Sequence, residues 1–189
     1  MKKADLSSPI RQTMLAVLVV GSIGCALLAG LHGLSGDDWL LSTSIAFGTT
    51  AYHMLLRFLA PVILHVFFHR RYNADSRWFR QKSWETGLYH FLHVKAWKSH
   101  MMTYDPSQFS LKKYSMEQIL QNMCHAELIH ELNIILSFSS LLFAIPFGSF
   151  PVFLITALLA ALFDGIFVII QRYNRPRIAA IIQHSHRSV

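Results

Sequence analysis

Four apolar runs divide the chain, at residues 13–34, 44–67, 132–147 and 150–170. A helix needs about 20 residues to cross the hydrocarbon core of a bilayer, so the pattern predicts an all-α integral membrane protein with about four transmembrane helices. The third run is short. It is broken from the fourth at "AIPFGSFPVF", where Pro146, Gly148 and Pro151 interrupt helix, which predicts a hairpin with a tight turn. The missing length is recovered if the third helix starts near Ser115, as an amphipathic stem. Residues 70–131 are then a large polar loop at the membrane interface, and the whole of 1–189 reads as a single membrane domain.

Composition agrees with that pattern. Of 189 residues, 53% are hydrophobic and 14% charged, too apolar a mixture for an ordinary soluble domain. The start "MKKADLSSPIRQ" and the run after it read as a retained helix, because the run is long for a signal-peptide core. Charge then sets orientation. Of the 17 Lys and Arg, three precede the first run, nine lie in 70–131, four follow Gln171, and Arg57 alone sits inside a run. The 35–43 and 146–150 connections hold none. By the positive-inside bias, both termini and the large loop belong on the cytoplasmic side of a multi-pass cell-membrane protein. The net charge of +7 flanks apolar segments, as orientation signals and contacts to anionic headgroups do, so it does not point to nucleic acid.

Three constellations carry candidate chemistry. In the loop, Trp78, Phe79, Trp84, Tyr89, Phe91, Trp97 and Tyr104 interleave with basic residues. Such a mixture suits the headgroup zone. It suits equally a pocket in which Arg77, Arg80, Lys82, Lys95 and Lys98 take a phosphorylated or CoA-linked substrate. In "NMCHAELIHELNIILSF", Glu127, His130 and Glu131 share one helix face. A carboxylate beside an imidazole is what a general base needs, and the same residues also serve to cap an apolar span. A metal fits poorly: "HELNI" puts Ile134 where a zinc HExxH has its second His, and the Glu127-x-x-His130 half-motif of di-iron bundles has no second copy. In the second run, Arg57 is costly in hydrocarbon and needs a partner. His53 lies four residues back, and Asp164 is the only acid deep in any run, so an Arg57–Asp164 pair is expected, either purely structural or orienting a substrate.

The fourth run ends in "IIQRYNRPR". Pro176 disfavours helix at Arg175, which predicts an end or kink there. Arg172, Arg175 and Arg177 would then converge where bidentate guanidiniums can hold carboxylate or phosphate. A basic stop to a membrane helix requires no Gln, Tyr or Asn.

"WFRQK" at 78–82 with "VKAWKSH" at 94–100, "AELIH" at 126–130 and "IIQRYNRPR" at 169–177 together resemble the glycosyl-diaponeurosporenoate acyltransferases of staphyloxanthin-type carotenoid biosynthesis, or their broader membrane relatives. The resemblance spans roughly residues 70–180. It implies transfer of an acyl chain to a hydroxyl of a lipid-linked or glycosylated acceptor at the cytoplasmic face, with Arg80, Lys82, Trp97, Lys98, Glu127, His130, Gln171, Arg172, Tyr173, Asn174, Arg175 and Arg177 as the functional set; His53 and Arg57 join them from the second run. On this reading His130 takes the hydroxyl proton and Glu127 holds its tautomer. The arginines, helped by Lys98, bind donor phosphates or stabilise the oxyanion. No bound cofactor is implied, the donor would be acyl-CoA or acyl-carrier protein, and the partners are membrane lipids and an amphipathic small molecule. The alternative is a non-enzymatic membrane protein binding anionic lipid or a partner through a basic interfacial pocket. Four spans without inverted repeats argue against a transporter.

Overall fold

A computed structural model describes residues 9–68, 71–101 and 106–187. Lys2, Lys3, Arg70 and Tyr104, which figure in the charge and aromatic patterns above, lie outside the described residues. The described chain is all helical, with no strand. The helices are α1 (Pro9–Ser35), α2 (Asp38–Phe68), α3 (Ser83–Phe91), α4 (Val94–Trp97), α5 (Met116–Ser137), α6 (Ala144–Phe147) and α7 (Phe150–Arg187). Among the described residues, four stretches are long and apolar enough to cross a membrane: α1, α2 as far as Phe67, Met116–Phe147 and α7. The protein is therefore a multi-pass membrane protein.

Local chemistry explains most boundaries. α5 starts where Ser115 and Gln118 cap each other: the Gln118 N–H donates to Ser115 Oγ at 3.3 Å, and the Ser115 N–H to Gln118 Oε1 at 3.0 Å. At its other end the serines of "SFSSLL" bond back to the helix. Ser137 Oγ donates to the Asn133 carbonyl at 2.7 Å and Ser140 Oγ to that of Ser137 at 2.9 Å. Such back-bonding competes with regular α-helical pairing, and the chain tightens into a 3₁₀ stretch, Phe138–Phe143, before α6. The hairpin turn follows at Gly148 and Ser149, both at positive φ, 66° and 50°; glycine carries the first without strain.

Pro176 does not end the last helix. α7 runs unbroken through it to Arg187. A proline inside a helix removes one backbone hydrogen bond, and side-chain contacts of Arg172 and Arg175, in the turn just before it, hold the helix in place, as described below.

The chain divides into two compact units. The first comprises 1–62 and 132–164, the second 63–131 and 165–189. In the first, α1 and α2 approach through small residues. A Cβ on Gly24 would stand 2.6 Å from the Phe47 ring, and one on Gly48 would stand 2.9 Å from Cys25 Sγ. This is how helices pack in hydrocarbon, where close backbone approach replaces the missing hydrophobic drive. The outer face of α1, with Val19, Val20, Ile23 and Leu27, stays exposed as a lipid-compatible surface.

In the second unit, residues 71–82 are moored to the start of α5. Gln121 brackets Tyr72, accepting from its N–H at 2.8 Å and donating to its carbonyl at 2.9 Å. The Tyr72 hydroxyl meets His125 Nδ1 at 2.7 Å. Tyr72, Phe79 and Cys124 form the core, flanked by Ala74 and Leu128. His93, in the left-handed region at φ 50°, separates α3 from α4.

Candidate functional site

The second unit is organised around arginines of α7. Arg172 and Arg175, three apart, share one face of the helix. Arg172 reaches two carboxylates at once. Its Nε and Nη2 donate to Glu85 Oε1 at 3.0 and 2.5 Å, and its Nη1 to Glu127 Oε1 at 2.8 Å. Arg175 pairs with the other oxygen of Glu127, donates to the Phe79 carbonyl, and lies 4.9 Å over the Phe79 ring. Glu85 and Glu127 are 1% and 0% exposed, so both carboxylates are buried with their countercharges supplied. Buried ions persist only when paired and hydrogen-bonded in this way.

The Tyr89 hydroxyl completes the network, donating to Glu85 Oε2 at 2.7 Å. Burial alone would raise the Glu85 carboxyl. Hydrogen bonds from Arg172 and Tyr89, with the Arg172 charge, outweigh it and hold the group below its ordinary value. Burial and the neighbouring Glu85 charge push the Tyr89 hydroxyl well above the usual phenol range. Glu131, 3.9 Å from Arg172, accepts from Trp78 Nε1 at 2.8 Å.

Beside this network is an open cavity of about 800 Å³. Gln81, Thr86, Tyr89, His90, His93, Lys95 and Ala96 wall one part of it, and Tyr173, Pro176, Arg177 and Ala180 of α7 the other. Tyr173 is its platform. The Arg177 guanidinium lies 3.8 Å from that ring's centre and the Lys98 ammonium 4.6 Å, while Tyr89 meets its edge at 5.3 Å. Lys98 Nζ donates to Asn174 Oδ1 at 2.6 Å. Burial, then the charges of Arg177 and Lys95, press the Lys98 ammonium below its ordinary value.

The sequence-derived set is thus sorted into distinct places. Tyr173, Asn174, Arg177 and Lys98 stand together at or beside the cavity, whereas Arg172 and Arg175 are engaged by the protein's own carboxylates. Glu127 turns both oxygens to those arginines. His130 is half-buried and stacks on Phe167, ring centres 4.8 Å apart and planes 14° from parallel. Gln171 is also half-buried. Trp97 Nε1 donates to the Leu92 carbonyl at 2.8 Å. Lys82 donates to the Arg77 carbonyl at 2.7 Å and Arg80 to that of Asp75 at 3.4 Å, so these two exposed residues fold back on their own segment. Among the described residues, no group of three or more His, Cys, Asp or Glu could hold a metal ion.

In the first unit, the expected Arg57–Asp164 pair is present. Arg57 Nη2 donates to Asp164 Oδ2 at 2.5 Å and to the Ala160 carbonyl at 3.2 Å, and Nη1 to the His53 carbonyl at 3.0 Å. Asn133 Nδ2 approaches Asp164 Oδ1 at 3.4 Å. His53 is 4% exposed, and its ring nitrogens have no hydrogen-bond partner among the described residues.

Sequence reasoning missed Glu85 and the two cavity histidines, His90 and His93. The one local signal for Glu85 was a lone acid in "SWETGLYHF", four residues before Tyr89 and on its helix face.

A family model described as glycosyl-4,4'-diaponeurosporenoate acyltransferase matches residues 75–184. Those residues include Glu85, Glu127, His130 and every residue of the cavity wall, whereas His53 and Arg57 precede them. No curated protein and no solved structure matches the chain.

Proposed function

Because the chain belongs to the glycosyl-4,4'-diaponeurosporenoate acyltransferase family, we propose that it is a membrane O-acyltransferase that moves an acyl chain from a thioester to a hydroxyl of a lipid-linked or glycosylated acceptor. The observation that carries this reading is the cavity, whose wall falls wholly within the family-matched residues. Its mixture of aromatic, histidine and cationic groups suits a substrate with one polar and one greasy end. The positive-inside bias supports a site on the cytoplasmic side of the cell membrane, where acyl-CoA or acyl-carrier protein is available as donor.

In the proposed reaction His130 accepts the proton of the acceptor hydroxyl as its oxygen attacks the thioester carbonyl carbon. The tetrahedral intermediate collapses with loss of the thiolate, which takes the proton back, leaving an ester and a free thiol. Glu127 and Glu85 act by position: with their oxygens on Arg172 and Arg175, they fix α7 so that Tyr173, Asn174 and Arg177 present themselves to the cavity.

The test is mass spectrometry of lipid and pigment extracts from cells with the chain, without it, and with His130→Ala. The expected outcome is a species that gains an acyl mass only with the intact protein. Identical extracts in all three, with the protein verified in the membrane, would overturn acyl transfer. That result would favour anionic-lipid binding, which the outward Trp78 and Trp84, 61% and 63% exposed, support as the second reading.

A further inference from the structure

We infer that the cavity of the second unit is a phosphate site, in which Arg177 and Lys95 of its wall, with Lys98 beside them on Tyr173, take a phosphoester bearing two or more negative charges. The inference starts from a sorting of charge along α7. Arg172 and Arg175 are neutralised by Glu85 and Glu127, yet Arg177, half a turn further on, has no carboxylate partner among the described residues. Neither has Lys98 or Lys95.

Lys95 and Arg177 therefore line an opening whose described wall contains no acid, and Lys98 stands beside it over the Tyr173 ring. Among the described residues, Lys98 meets only neutral acceptors, the Asn174 side-chain oxygen and the Tyr173 ring face. An ammonium has three donors, and its contact to Asn174 uses one. Burial first, and then the neighbouring Arg177 and Lys95 charges, lower the Lys98 basicity; a bound anion would offset the charge repulsion. Arg177 and Lys98 are both held against Tyr173, which Tyr89 braces edge-on, so the cationic groups are positioned before any ligand arrives. A fixed guanidinium beside a lysine is a common solution for phosphate recognition, and about 800 Å³ falls within the usual range of small-molecule sites.

The assignment deepens the acyltransferase reading and rests on it only for the identity of the donor, since thioester carriers of the CoA and carrier-protein type bring phosphate with them. A phospholipid headgroup offers the same chemistry. The full chain in nanodiscs of zwitterionic lipid, titrated calorimetrically with inorganic pyrophosphate and with non-acylated coenzyme A, separates the sources.

Pyrophosphate is expected to bind, with Lys98→Gln and Arg177→Gln each weakening it by about tenfold or more. Lys98→Arg should retain most of the affinity, and Lys112→Gln, an exposed cation outside the cavity, should leave it unchanged. Coenzyme A that competes with pyrophosphate identifies a soluble phosphoester. Coenzyme A that fails while phosphatidic acid in the nanodisc blocks pyrophosphate identifies a headgroup; both results support the phosphate site. Absence of pyrophosphate binding, or equal binding by Lys98→Gln, Arg177→Gln and the native chain, overturns it. Pyrophosphate binding without any acylated product would sink acyl transfer and leave this site standing. An acylated product without phosphate binding would do the reverse.

Discussion

The two units bury arginine in different ways. In the first, Arg57 meets a single carboxylate, Asp164, supported by Asn133 and two backbone carbonyls. In the second, Arg172 joins two carboxylates from two different helices, and Arg175 shares one of them. The first arrangement is a simple neutralisation of charge within membrane-spanning helices, and what it needs is that each partner be charged. The second is a matter of shape as well, because one planar guanidinium must donate in two directions at once. Charge removal and shape change should therefore rank the two regions in opposite order.

The largest effect is expected from removing charge in the first unit. Arg57→Gln strands Asp164 in an apolar interior and should cost about 3–5 kcal/mol, read as a drop in thermal stability of the purified protein in detergent. A double replacement, Arg57→Met with Asp164→Leu, should recover much of that loss, since neither desolvated ion then remains. Failure of the double variant to recover would show that Arg57 and Asp164 hold the helices by more than mutual neutralisation.

Altering shape at constant charge should reverse the order. Arg172→Lys keeps a cation but cannot serve Glu85 and Glu127 together, and one buried carboxylate loses its donor at a cost of about 2 kcal/mol. Arg57→Lys, whose partner is one carboxylate, should cost less than that in the same melting assay. If Arg57→Lys proved the more damaging, the distinction between the two regions would be wrong.

Apolar run length and helix-breaking residues made the overall fold legible. The short third run pointed to a helix start near Ser115, and Pro146, Gly148 and Pro151 announced the hairpin, because each acts on backbone groups only a few residues away. The Arg57–Asp164 pair was legible for another reason: a charge inside an apolar run demands a partner, and one acid was available. Glu85 had no such signal. It reaches Arg172 across 87 residues, and nothing near it in the chain marks it as buried.

The smallest expected effect tests that missed residue. Because the Glu85 carboxyl is held below its ordinary value of 4.5, its ionised form stabilises the fold above that value, and the contribution fades as pH falls toward the lower folded-state value. Glu85→Gln should therefore lower stability on the order of 1 kcal/mol near neutrality. The gap to the native chain should close on acidification below about 4.5. Melting curves across that range check it; a gap that stays constant with pH would show that the Glu85 charge contributes nothing to the network.

The sequence by itself determined the membrane class, the four long helices among the described residues and the stem that lengthens the third. These depend on hydropathy, periodicity and short-range hydrogen bonding, all of which are written locally. Only the tertiary structure decided which of three neighbouring arginines are neutralised inside the protein and which is left facing a cavity. In "QRYNRPR" the three have the same charge and nearly the same surroundings along the chain. What separates them is the direction in which each turn of α7 points relative to α3 and α5, a property of packing between distant segments.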